Sequence, residues 1–184
     1  MQTLRMKAEF LPRLLEGLRA WGTLFASVDR GHGAYSLAKI DDIADARTEA
    51  LRTILPFNKL LLKPRFAMIR TGSDGASEAS DDNDPSPKLF CGAHSCDVHT
   101  LRILDMLHLH DFVDPYYRRN REALTVVSYG CMPDDECFCH SMETSNVDDG
   151  FDLFLTPLSG RHLVTVPSAR GDDILTAHVG ASGR

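Results

Sequence analysis

The sequence predicts an α/β fold: a single domain over residues 1–184, built on a mixed sheet with flanking helices and carrying a disordered acidic loop. Two observations predict it. Between Lys88 and Tyr129 the pattern reads strand, helix, helix, strand, the texture of an α/β unit. Elsewhere, short apolar runs bounded by Gly, Asp, Ser and Pro recur in pairs, as hairpins do. With 43% apolar and 25% charged side chains, 184 residues suffice for one proper core.

In chain order, Leu11, Leu14, Leu15 and Leu18 stand at helical spacing with Arg13, Glu16 and Arg19 between them. They predict an amphipathic helix over 11–20, with Pro12 tolerable in its first turn. Strands are expected at Thr23–Val28 and Tyr35–Ile40, joined into a hairpin by the turn residues Asp29 to Gly33. Lys59–Leu62 before Pro64, and Phe66–Ile69 after it, are short apolar segments that read as buried strands. From Thr71 to Pro87 the composition is Gly, Ser, Asp, Glu, Asn and Pro with two Ala, which cannot bury enough to offset ordering, so 71–87 reads as a mobile loop. A strand over Lys88–Cys91, helices over Asp97–Leu109 and Asp114–Glu122, and a strand over Leu124–Tyr129 follow. Phe151–Pro157 and His162–Val166 form a second hairpin around Ser159 and Gly160, and a short helix starts near Asp172. No internal repeat is present.

The formal charge is −6, but the 71–87 segment carries five acids and no base, leaving the rest near −1. Neither a nucleic-acid backbone nor an anionic membrane finds a basic field here. No run of eighteen apolar residues exists, and the opening MQTLRMKAEF lacks the apolar core of a signal peptide, so the cytoplasm is the expected location.

Five cysteines in such a chain are more readily metal ligands or catalytic thiols than a disulfide framework. All five lie between Cys91 and Cys139. Cys96 precedes the periodic run Val98, Leu101, Leu104, which puts it at a helix N-terminus. Unpaired amides and the helix dipole there favour a thiolate and should lower its pKa. Cys131, Cys137 and Cys139 follow the strand ending at Tyr129. Gly130 permits a sharp departure, Pro133 stiffens the loop, and Cys137 and Cys139 point to one side if the chain is extended. Four thiolates suit a [4Fe-4S] cluster or a zinc site, and His94, His99 or His140 can replace one sulfur. A third possibility is a thiol nucleophile at Cys96 near His99, for which no orienting group is evident. Cys91 reads as a core residue and as the substitute should one ligand be wrong.

Three neighbouring features have bland readings. His108 and His110 cap a helix end. The mixed run Asp114 to Arg121 reads as a solvated helix face, or else as a grip on a flavin or nucleotide phosphate of a partner. Asp134, Asp135 and Glu136 read as a solvated loop whose charge would also lower the potential of an adjacent cluster.

These residues resemble the β subunit of sulfhydrogenases and the A subunit of anaerobic sulfite reductase. The blocks are Phe90 to Asp97, Asp114-Pro115-Tyr116-Tyr117, Gly130-Cys131, Cys137-Phe138-Cys139 with Ser141-Met142, and Gly150-Phe151-Asp152-Leu153; Asn58 to Leu62 matches more loosely. The resemblance implies a non-catalytic electron-transfer subunit with an iron–sulfur cluster on Cys96, Cys131, Cys137 and Cys139. It would pass electrons between a flavoprotein or ferredoxin-like partner and a catalytic oxidoreductase subunit. Two departures stand out: His94-Ser95 replaces an Arg-Pro pair, and the family's carboxyl-terminal paired ferredoxin motifs do not occur in these 184 residues. The alternative is a zinc-stabilised interaction domain without redox activity.

Overall fold

A computed structural model of the protein describes residues 2–80 and 86–178. Seven strands form one sheet: β1 (Gln2–Lys7), β2 (Thr23–Asp29), β3 (Tyr35–Lys39), β6 (Lys88–Ala93), β7 (Leu124–Tyr129), β8 (Leu153–Leu158) and β9 (Arg161–Val166). Their order is β1-β9-β8-β7-β6-β2-β3, and β4 (Ile69–Thr71) pairs with β5 (Ser77–Ala79) apart from it. β2, β6, β7 and β8 run parallel; β3 on one edge and β9 toward the other run against them, and β1, antiparallel to β9, closes the far edge. The mixed sheet and both hairpins are as the sequence predicts.

The central strands read as continuous apolar runs because helices cover both faces. On one face, α1 (Leu11–Leu18) and α4 (Ala169–His178) bring Leu14, Leu15, Leu18, Ile174 and Leu175 onto Leu24, Leu89, Cys91, Val127, Leu153 and Val164. On the other, α2 (Ser95–Leu109) and α3 (Pro115–Glu122) bring Val98, Leu101 and Tyr117 onto Phe90, Leu124 and Val126, with Phe57 and Leu61 alongside. Phe57 stacks on Phe90 with ring centroids 5.1 Å apart.

Several local expectations are corrected. β1 went unpredicted, since Leu4 and Met6 alone alternate in it; its pairing with β9, far along the chain, is what buries Met6. Lys59–Leu62 is no strand: Phe57–Leu60 is a 3-10 turn, held where Asn120 Nδ2 donates to the Leu61 carbonyl at 2.8 Å. In Phe66–Ile69 only Ile69 joins a strand, and it is exposed. The 71–87 segment contains β5, so part of it is ordered into a small hairpin. Residues 81–85 of that segment lie outside the described residues.

Gly171 shows how closely α4 is seated, because a Cβ there would overlap the Asp152 carbonyl and come within 2.8 Å of Val166 Cγ1. Gly171→Ala is therefore expected to displace α4 and cost about 2 kcal/mol or more. A melting midpoint unchanged from the parent chain would contradict that packing.

Candidate metal centre

The carboxyl ends of β6 and β7 lie side by side, the place where open α/β sheets bind ligands. β6 ends in an irregularity at Gly92, whose φ of 99° and close approach to the Thr48 backbone, 3.4 Å from a would-be Cβ, call for glycine. The chain then turns into α2. His94 is its N-cap, its amide donates to Asp97 Oδ2 at 2.9 Å, and Cys96 sits in the first turn as predicted. Past the end of β7, the Gly130 amide still bonds the Leu155 carbonyl, and Cys131 follows.

Cys96, Cys131 and Cys139 line one cavity of about 230 Å³, together with Ser95, Pro133, Thr144, Ser145 and Asn146. Cys137 does not line it. The loop is wound rather than extended: the Cys137 amide donates to the Asp134 carbonyl at 3.0 Å, Met142 to Phe138 at 3.0 Å and Thr144 to Cys139 at 2.8 Å. Winding turns the two neighbouring cysteines apart, so Cys137 Sγ instead donates to Asp134 Oδ1 at 3.3 Å. Cys91 is 1% exposed in the core, and burial pushes its thiol up to about 12. All five cysteines are free. Among the described residues, no three His, Cys, Asp or Glu side chains are gathered tightly enough to hold a metal ion as they stand.

The expected lowering of the Cys96 pKa is overturned. Burial, then the charge of Asp97, then Cys139 and Cys131 raise it to about 12, outweighing the helix terminus. A thiol so protonated is a poor nucleophile, and His99, whose Nε2 bonds the Asn146 carbonyl at 2.9 Å, has no hydrogen bond to it. A thiol nucleophile at Cys96 gains no support from this arrangement. Three like-charged sulfurs around one cavity would repel one another, so a cation shared among them is the natural way to keep them deprotonated.

His94 does not stand in for a sulfur. It is 4% exposed, with Nδ1 2.9 Å from the Tyr129 carbonyl and Nε2 3.1 Å from the Ala50 carbonyl. Two carbonyl acceptors are both satisfied only by a doubly protonated ring. Burial alone would lower its pKa, but the Cys131 thiol and the two carbonyls raise it to about 9. His94 thus keeps a positive charge where the resemblance places an arginine. His140 is exposed.

Sequence reading missed Arg52. It comes from the irregular segment after β3 and forms a two-pronged ion pair with Asp134, Nη1 to Oδ1 at 2.8 Å, with Glu136 3.1 Å from Nη2. Its Nη1 also points at Cys137 Sγ, 3.6 Å away. Hydrogen bonding to Arg52 is the main cause that holds the Asp134 carboxyl well below the usual carboxylate range. Three consecutive acids beside cysteines were the available signal that a cation had to be near.

Part of the Asp114–Arg121 run is used within the fold. Asp114 caps α3 by accepting from the Tyr116 and Tyr117 amides, and Tyr117 and Arg121 both bond Asp105, at 2.7 Å and 3.0 Å. Two of its side chains are therefore committed to Asp105 rather than to a phosphate. His108 stacks on Tyr117 and lies 3.8 Å from Asp114, and His110 caps α2.

The chain is 35% identical over 175 residues, 95% of its length, to the sulfhydrogenase 2 subunit beta of Pyrococcus furiosus. It spans about half of that relative, 51% of its length. The resemblance to a sulfhydrogenase β subunit read from the sequence blocks is thereby borne out. No family model matches the chain, and no solved structure matches it. Among the described residues no helix is long and apolar enough to cross a membrane.

Proposed function

We propose that the chain is an electron-transfer module holding one [4Fe-4S] cluster through Cys96, Cys131, Cys139 and Cys137, within a hydrogenase or sulfite/sulfur reductase type complex. The observation that carries this reading is the convergence of three thiols, from a helix start and a strand-end loop, on one cavity. Cys137 stands on the same loop, and to supply the remaining thiol it leaves Asp134 Oδ1 as the Asp134–Cys137 turn swings toward the cavity. The relative's name, a subunit of a sulfhydrogenase, favours a redox complex over a lone binding domain.

A cluster bound there takes up and releases single electrons. The chain's own residues do the rest. The first-turn amides of α2 and the buried His94 cation favour the negative charge that four thiolates bring. Met132, Phe138 and Met142, which flank the site cysteines in sequence, are 84%, 77% and 68% exposed. Such side chains fit an interface with a flavoprotein or ferredoxin-like subunit on one side of the transfer and a catalytic subunit on the other. Thiols kept reduced in the cytoplasm suit this role.

Colour is the direct test. Anaerobically purified protein is expected to be brown, to bleach with dithionite and to recover on adding an oxidised flavin acceptor. A colourless chain with stoichiometric zinc would instead select the interaction-domain reading.

A further inference from the structure

We infer that the trough beside the β2–β3 hairpin is a binding site for a small molecule bearing a phosphoryl group, gripped by Arg30 and Arg47. The inference is independent of the cysteines and of what they bind.

The trough runs along the carboxyl end of β2, a strand parallel to β6, so it stands at the same end of the sheet as the cysteine cavity. Its volume is about 450 Å³, within the range of small-molecule sites. Val28 and Ala38 give it an apolar part, while Arg30, Lys39 and Arg47 set three cations against the two acids Asp29 and Asp45.

Both arginines are fixed in place, and each keeps a pair of donors free. Arg30 Nε donates to the Oγ of buried Ser36 at 2.6 Å, which leaves its two Nη groups. Arg47 follows the 3-10 turn Ile43–Asp45, and its amide bonds the Ser27 carbonyl at 2.8 Å. Its Nη1 donates to the Ala44 and Ala46 carbonyls at 2.6 Å and 3.2 Å, which leaves Nε and Nη2. All of these acceptors are neutral, and among the described residues neither guanidinium forms an ion pair. Exposed Lys39 does pair, with Asp41 at 3.1 Å, and Asp29 accepts from the Gly31 amide at 2.7 Å. Each arginine thus presents a parallel pair of N–H groups with an uncancelled charge, the arrangement that binds a tetrahedral oxyanion through two bonds. Against Asp29 and Asp45 a singly charged carboxylate gains little, so a dianionic phosphoryl group is the better fit.

The test is calorimetric titration of the full chain with phenyl phosphate and, separately, with benzoate, at fixed ionic strength. Phenyl phosphate should saturate at one per chain and bind more tightly than benzoate. Arg30→Gln and Arg47→Gln should each weaken it about tenfold or more, the worth of one charged hydrogen bond. Arg30→Lys should not restore it, since an ammonium keeps the charge without the paired donors. Arg13→Gln makes the same charge change on α1, where Arg13 lies over the Phe10 ring, and should bind as wild type. Arg47 also braces its own turn, so Arg30→Gln, which gives up only the bond to Ser36, carries the test if Arg47→Gln melts early. No saturable binding, equal affinity for benzoate, or an equal loss in Arg13→Gln would overturn the site.

Discussion

Cys96→Ala is expected to lose at least about tenfold in bound iron while leaving the fold intact. Outer residues of metal sites commonly cost 10- to 100-fold in affinity, and a direct ligand should cost no less. Cys96 is only partly buried and belongs to neither core cluster, and α2 is anchored independently by Val98 and Leu101. The metal-free variant should therefore unfold at the wild-type temperature. Cys91→Ala should show the opposite pattern, keeping its iron while losing stability, because Cys91 packs among Leu24, Leu89 and Val127. Equal iron loss at Cys91 would overturn the ligand set.

His94→Ala is expected to be the most destabilising substitution near the site. It removes the donors to two carbonyls, one of them in a buried bond to a segment 44 residues away. Each buried acceptor left without a partner costs about 1–3 kcal/mol, so the two together cost about 2–6 kcal/mol, with about 3 kcal/mol a working value. For a chain of this size that lowers the melting midpoint by roughly 6–12 °C. His94→Gln should recover part of the loss, since an amide donates but does not reach both carbonyls. The sign of the pH effect follows from the raised pKa. The contribution of His94 to the metal-free chain is complete below its unfolded value near 6.5 and is lost as pH rises through about 9. Wild-type stability should fall across that window more steeply than that of His94→Gln. Parallel pH profiles would contradict a charged ring.

The fold was legible where local pattern and tertiary environment agree. Leu14, Leu15 and Leu18 face the sheet as their spacing requires, and the apolar runs of β6 and β7 are covered on both faces. It was illegible where pairing partners lie far off. Met6 is buried by β9, some 156 positions later, and Leu61 is fixed by Asn120, so neither the strand nor the 3-10 turn has a local signature.

The site divides in the same way. Cysteine clustering and the helix start pointed to Cys96, Cys131 and Cys139, which line one cavity. Loop winding could not be read, because the turn at Asp134–Cys137 depends on backbone hydrogen bonds and on an arginine from another segment. For the same reason the Cys96 pKa was misjudged: the helix terminus is visible in sequence, whereas burial beside Asp97 and two further thiols is not.

The most direct measurement is iron and acid-labile sulfide per chain after anaerobic purification, with EPR before and after dithionite. About four irons and four sulfides per chain, with a paramagnetic signal appearing on reduction, is the predicted result. Stoichiometric zinc, or iron-free protein that stays silent on reduction, would contradict the cluster and the electron-transfer role built on it.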